Sequence, residues 1–301
     1  MIIGIDFDNT IAKYDDLFHN IALRENLIPK NSFPKDKKKI KEYLIYQSDG
    51  KRTWMMLQGL VYGKYMKNAK IMEGFCLFLL SCKRRDIEVK IISHKTEFGH
   101  YDPNKVSLRG EALKWMERKN FFKADHFNLD KKNIHFASTR KGKVEIISAL
   151  KCEWFIDDLI EVFEENSFPI HTKKILFNSE INHLADMETV KCSSWSKIYH
   201  FIFSDSKIKD IKFFTENIIL ENINTISQVQ DGGNSNVFKV DKDNSSKYAL
   251  KLYPDDQNDK RQRLNTECSA ISFLRKNNVN NVPEVLNKFE DYGIATFRLI
   301  N

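Results

Sequence analysis

The chain has 301 residues, enough for one large domain or two ordinary ones, and its 42% hydrophobic and 30% charged content is that of a soluble globular protein. No apolar stretch reaches the roughly 18–20 residues of a membrane span, and five scattered cysteines (Cys76, Cys82, Cys152, Cys192, Cys268) without a CxxC pair argue against a disulfide framework or a zinc site. The net charge of +7 gathers locally in Lys35, Lys37, Lys38, Lys39 and Lys41, a solvated helix face or an electropositive rim, and no basic run is interleaved with stacking aromatics, so nucleic acid is not an expected partner.

Residues 1–5 (MIIGI) run directly into Asp6 without a signal-peptide pattern, so a cytoplasmic protein with no membrane partner is expected. Ile2-Ile3-Gly4-Ile5 reads as a short buried strand ending in an acidic cluster. Residues 12 to about 70 then carry helical patterns near 15–26, 37–47 and 52–68, separated by Pro29, Pro34 and Gly50; a mobile helical lid fits this insertion. Beyond it, strands alternate with helices. Phe75 to Lys83 is apolar almost all round, Val89–Ile92 leads into Ser93-His94, Leu108 to Arg118 is amphipathic, and Ile134–Ala137 leads into Ser138-Thr139. Lys143 to Leu150 is helical, and Trp154–Ile156 leads into Asp157-Asp158. Such alternation predicts a doubly wound parallel α/β sheet, which binds ligands beyond the carboxyl ends of its strands.

The polar residues of that edge form a chemical set. Asp6-Phe7-Asp8-Asn9-Thr10 directly after a strand turns two carboxylates into one site; one can attack phosphorus while the other protonates the leaving oxygen and then activates water. A carboxylate nucleophile facing an anionic substrate needs a cation, and hard oxygen ligands suit Mg²⁺. Ser93 can bond a phosphoryl oxygen, Lys143 (with Lys141 as competitor) can neutralise developing charge, and Asp157 and Asp158 can complete a metal site. Among the lid residues Gln58 and Tyr62, and at the sheet edge His94 and Lys95, are the candidate substrate contacts.

The order strand-DxDxT, strand-Ser, Lys, strand-DD resembles the four-motif pattern of the haloacid dehalogenase (HAD) superfamily across residues 1–205. The resemblance implies a Rossmann-like sheet with a helical cap and a phospho-aspartate formed on Asp6. Asp8 would be the acid/base, and Mg²⁺ would be held by the Asp6 side chain, the Asp8 carbonyl and Asp158, ranked above Asp157. Thr10 would support the loop, and Ser93 and Lys143 would hold the phosphoryl group. An acid at position 8 favours phosphate esters over dehalogenation, which has no leaving oxygen to protonate.

Near residue 205 the character changes. After a connecting segment (206–222), Ile226–Val229 leads into the glycine turn Gly232-Gly233-Asn234-Ser235, and Val237–Val240 and Tyr248–Leu252 bracket a polar turn. A helix (Arg261–Lys276) and two further extended segments (Val282–Leu286, Gly293–Ile300) follow. A glycine turn over phosphates, Lys251 in a strand and Glu267 in a helix are the parts of a kinase small lobe. Residues 223–301 resemble the amino-terminal lobe of aminoglycoside/choline kinase-like phosphotransferases, a small α+β unit. No HxD…N or later DxD element follows, so the resemblance implies a lobe lacking its carboxyl-terminal partner, and ATP only if the chain is a fragment of a longer protein.

The expected function is a Mg²⁺-dependent phosphatase of a small phosphomonoester, such as a sugar phosphate, joined to a truncated phosphotransferase lobe. Two other readings stand beside it: a 3′-phosphatase of nucleic-acid ends, whose partner kinases use a GxxxxGK[ST] loop absent here, and a non-catalytic binding module of pseudo-kinase type.

Overall fold

The computed structural model describes residues 1–30, 33–177, 189–203, 207–232, 235–242, 246–254 and 261–299. The predicted boundary at Ser204-Asp205-Ser206 and the turn residues Gly233 and Asn234 lie outside the described residues.

In chain order the first elements are β1 (Ile2–Ile5), β2 (Ala12–Lys13), α1 (Asp15–Arg24), α2 (Lys37–Ile45), α3 (Gly50–Tyr62), β3 (Lys70–Ile71), α4 (Phe75–Arg84), β4 (Glu88–His94) and α5 (Leu108–Arg118). There follow β5 (Ile134–Ala137), α6 (Arg140–Ala149), β6 (Trp154–Asp157), α7 (Ile160–Phe163), β7 (Lys173–Phe177), β8 (Thr189–Cys192), α8 (Trp195–Ile202) and α9 (Lys207–Phe214). The last are β9 (Ile223–Gly232), β10 (Ser235–Lys242), β11 (Lys247–Leu252), α10 (Arg263–Lys276), β12 (Glu284–Phe289) and β13 (Ile294–Arg298). A mixed α/β fold results, with a six-stranded sheet in the order β5-β4-β1-β6-β7-β8. The pairs β5-β4, β4-β1, β1-β6 and β6-β7 are parallel. β7 and β8 have no counterpart among the predicted elements, because each is a short segment with only a few apolar residues.

By compactness the chain divides into Met1–Met72 with Glu88–Leu176, and Glu73–Ile87 with Phe177–Asn301. In the first unit β1 lies between β4 and β6, so the chain first builds outward on one side and then crosses to the other. That reversal makes a crevice at the carboxyl end of β1. Gly4 permits the close packing there: a Cβ at this position would lie 2.6 Å from the Phe155 ring and 3.0 Å from the Cys152 sulfur. Ile92, Val144, Ile147, Phe155, Phe163 and Leu176 form the core beneath. Residues 12 to about 70 contain the helices α1, α2 and α3. The entry strand β2 and exit strand β3 of this insertion pair antiparallel, Ala12 with Ile71 and Lys13 with Lys70, and the helices lie between them in sequence.

The second unit carries an antiparallel sheet in the order β12-β13-β11-β10-β9. α10 lies between its third and fourth strands in sequence, and Tyr253, Cys268, Ile271, Ala295 and Phe297 form a core. The segment expected as a plain connection is helical over α9 because Ile211 and Phe214 bury one face, Phe214 meeting the rings of Phe289 and Tyr292. On the same helix Asp210, 1% exposed, accepts hydrogen bonds from Arg84, Arg85 and Tyr199. All five cysteines are buried and none is in a disulfide among the described residues, in keeping with a role as small core residues. Among the described residues no helix is long and apolar enough to cross a membrane.

Candidate active site

At the end of β1 the Asp6 amide donates to the Ile156 carbonyl at 2.8 Å, holding Asp6 beside β6. The chain then doubles back. The amides of Ile11 and Ala12 both reach the Phe7 carbonyl (3.0 and 2.9 Å), and Asn9 takes φ 61°, a left-handed conformation that a short polar side chain tolerates. Asp6, Asp8 and Asn9 are thereby presented within four residues, with Thr10 fully buried below.

α6 begins at Arg140, capped by the Thr139 hydroxyl, which accepts from the Gly142 amide. The helix starts three residues earlier than its apolar periodicity indicates, because the cap and not an apolar residue sets its beginning. Lys143 consequently lies one turn inside. It is 1% exposed, whereas Lys141 is exposed. Its Nζ donates to Asp6 Oδ1 at 2.5 Å and Asp157 Oδ2 at 2.6 Å.

Asp6, Asp157 and Asp158 each bring a carboxylate oxygen within 4.8 Å of the others. This donor set fits a hard divalent cation such as Mg²⁺. Asp157 is committed to Lys143 and to the Leu159 amide (3.0 Å), while Asp158 accepts from Asn9 Nδ2 at 3.1 Å. Burial drives the Asp6 carboxyl well above the ordinary carboxylate range; Lys143 opposes the rise, and Asp157, Asp158 and Asp8 add to it. Burial and the charge of Asp157 push Asp158 up to about 7, against Lys37 and the Asn9 hydrogen bond. For Lys143 burial works against the charge, but Asp6 and Asp157 outweigh it and hold the ammonium protonated. Crowded carboxylates of this kind are relieved by a bound cation.

Ser93, fully buried at the carboxyl end of the strand beside β1, has a hydroxyl with no hydrogen-bond partner among the described residues. Lys95 reaches Asp8, 2.8 Å from Oδ2 and 3.0 Å from Oδ1. Its Nζ also sits 4.7 Å from the centre of the Tyr62 ring. Tyr62 therefore lies over the site, and Gln58, one turn earlier on α3, is half-buried. His94 is exposed, its Nε2 3.1 Å from the Ser138 carbonyl, and is not brought into the carboxylate cluster; the alternation of the strand turns it to the opposite face from Ser93 and Lys95.

Three residues of the site have no sequence signal that singles them out. Tyr14 donates its hydroxyl to Asp8 Oδ1 at 2.6 Å. Lys37, one of five clustered lysines, places Nζ 3.3 Å from Asn9 Oδ1 and over the Phe18 and Tyr62 rings at 5.4 and 5.6 Å. Asn9 links Lys37 to Asp158.

In the second unit Lys251 on β11 donates to both oxygens of Glu267 on α10, at 2.8 and 2.6 Å. The pair borders a cavity of about 320 Å³ lined also by Val237, Ala249, Phe297 and Leu299. Gly232 and Ser235 pair across the β9-β10 ladder.

No family model matches the sequence, and no curated protein sequence matches it. Solved structures similar to part of the chain include the following two. A HAD-superfamily hydrolase from Ehrlichia chaffeensis shares 14% identity over 67% of this chain and 95% of its own, with a TM-score of 0.41. The Bacillus subtilis protein YfnB, described as a HAD hydrolase and solved with magnesium bound, shares 12% identity over 67% of this chain and 97% of its own, with a TM-score of 0.41.

Proposed function

We propose that the first unit is a Mg²⁺-dependent phosphatase of HAD type, acting on a small phosphomonoester through a phospho-aspartate on Asp6. The observation that carries this reading is the convergence of Asp6, Asp157 and Asp158 around Lys143 at one sheet edge. Asp6 Oδ attacks phosphorus in line with the leaving oxygen, which takes a proton from Asp8 as its bond to phosphorus breaks. Asp8 then accepts a proton from the water that hydrolyses the acyl phosphate, returning Asp6 as a carboxylate and releasing inorganic phosphate. Lys143 holds Asp6 in place and offsets charge on the phosphoryl oxygens, and the Ser93 hydroxyl supplies a donor to one of them. Mg²⁺, held by Asp6, Asp158 and the Asp8 carbonyl, would supply charge neutralisation of the phosphoryl group. Tyr62 and the ammonium groups of Lys37 and Lys95 stand beside the carboxylates, and the positive charge there suits a phosphate ester.

Phosphate release from p-nitrophenyl phosphate and a panel of sugar phosphates, with and without Mg²⁺, tests the reading. Activity that survives Asp6→Asn undiminished would sink it. A 3′-phosphorylated oligonucleotide in the same panel separates the end-repair alternative.

A second reading concerns the other unit, a nucleotide-phosphate half-site with Lys251 oriented by Glu267. The strand order, with a helix between the third and fourth strands and a Lys–Glu pair at a cavity, supports it. Titration with a fluorescent ATP analogue tests it, Lys251→Met being expected to abolish the binding; a chain that binds no analogue removes the reading.

A further inference from the structure

We propose that Tyr14 is a positioning residue for Asp8, and that the helical insertion acts on the reaction through it. The inference rests on the phosphatase reading and adds a residue that acts on Asp8 without touching the substrate.

Asp8 Oδ1 accepts from the Tyr14 hydroxyl at 2.6 Å and from Lys95 Nζ at 3.0 Å, while Oδ2 lies 2.8 Å from Lys95 Nζ as an ion pair. A carboxylate oxygen has two lone-pair sites. Oδ1 is thus filled, and Oδ2 keeps the site through which a proton can pass to the leaving oxygen and later return from water. Tyr14 decides which oxygen is free. Burial, then the charge and hydrogen bond of Asp8, hold the Tyr14 hydroxyl above its ordinary range, in keeping with its place as the donor.

Tyr14 is also clamped by the insertion. It stands between β2 and α1, at the entry, and is 1% exposed. Its hydroxyl lies 3.3 Å from the Met66 sulfur and its ring meets Tyr62 edge-on at 4.9 Å, both residues near the exit. Phe18 of α1 closes the other side at 6.4 Å. A shift of the helices about the β2-β3 ribbon therefore moves the group that orients Asp8.

Tyr14→Phe keeps the ring contacts and removes only the hydroxyl. A positioning role for the acid predicts a loss that depends on how much the leaving group needs a proton. For an alkyl phosphate kcat/KM falls about tenfold or more, within the range ascribed to general acid catalysis. For p-nitrophenyl phosphate, whose leaving group departs as a stable anion, the fall is several times smaller, and KM for both esters moves by less than about twofold, because uniform binding is untouched. In the Asp8→Asn background Tyr14→Phe should cost little further, since the group it orients is already lost. Equal losses for the two esters, or full additivity with Asp8→Asn, overturns the inference while leaving the phosphatase reading standing. A wild-type protein inactive on both esters removes both. Should Tyr14→Phe not fold, 3-fluorotyrosine at position 14 keeps ring and donor and must retain the wild-type ratio between the esters; a changed ratio in favour of p-nitrophenyl phosphate overturns the proposal.

Discussion

Lys37 sets its ammonium 3.3 Å from the side-chain oxygen of Asn9, and so a residue of the helical insertion touches the loop that carries Asp6 and Asp8. Asn9 turns its other side-chain atom to Asp158. Burial works against the charge of Lys37, yet the neighbouring Tyr62, Asp158 and Asp8 outweigh it and raise its pKa, so it is a fixed positive charge near the carboxylates.

That charge opposes a divalent cation. Lys37→Met, which keeps most of the stem, is expected to tighten Mg²⁺ binding roughly threefold to tenfold, the scale of ~1 kcal/mol of repulsion between partly buried charges. Isothermal titration with Mg²⁺ checks this; weaker binding in the variant would show that Lys37 serves the site mainly by holding Asn9.

Lys143 neutralises two carboxylates that are almost fully buried, Asp6 at 5% and Asp157 at 0% exposure. Lys143→Met should abolish phosphatase activity and lower stability by about 3–5 kcal/mol, the cost of leaving buried charge unpaired. Added Mg²⁺ should restore more of the melting temperature in the variant than it adds to the wild type, because a cation takes over part of the lost neutralisation. Equal shifts in the two proteins would place the ion elsewhere.

Ser93 separates stability from activity. Its buried hydroxyl has no hydrogen-bond partner among the described residues, so Ser93→Ala removes an unsatisfied group and should change stability by no more than about 1 kcal/mol, with stabilisation the favoured sign. The same change should lower kcat/KM about tenfold or more if the hydroxyl meets a developing phosphoryl charge. Denaturation and kinetics on one sample decide between these effects; a destabilised and fully active variant would assign Ser93 to the fold alone.

In the second unit the Lys251–Glu267 pair is partly exposed, with side chains 22% and 37% accessible. A pair so open contributes little to folding, at most about 1 kcal/mol. Lys251→Met should therefore melt close to the wild type while losing affinity for an ATP analogue, and a large drop in melting temperature would mark the pair as structural.

Much of the site could be read from the chain itself. Asp6, Ser93 and Asp157 stand at strand ends because a buried parallel strand is a run of apolar residues and its first polar residue marks where the sheet meets solvent. The insertion and the α/β alternation follow from local periodicity, a property of neighbouring residues, whereas the Lys251–Glu267 pairing is what the resemblance to a kinase small lobe implies. Tertiary structure alone decided the rest. Lys37 looks like its exposed neighbours Lys38 and Lys39 until α2 is folded against Tyr62 and Phe18. Tyr14 is one more aromatic until the β2-β3 ribbon brings it to Asp8, and Lys95 binds Asp8 because that carboxylate lies across the strands from it. Lys37 and Lys95 meet residues far apart from them in sequence, and Tyr14 reaches Asp8, six residues away, only through the turn between them; the energy of a buried charge is set by what surrounds it in space.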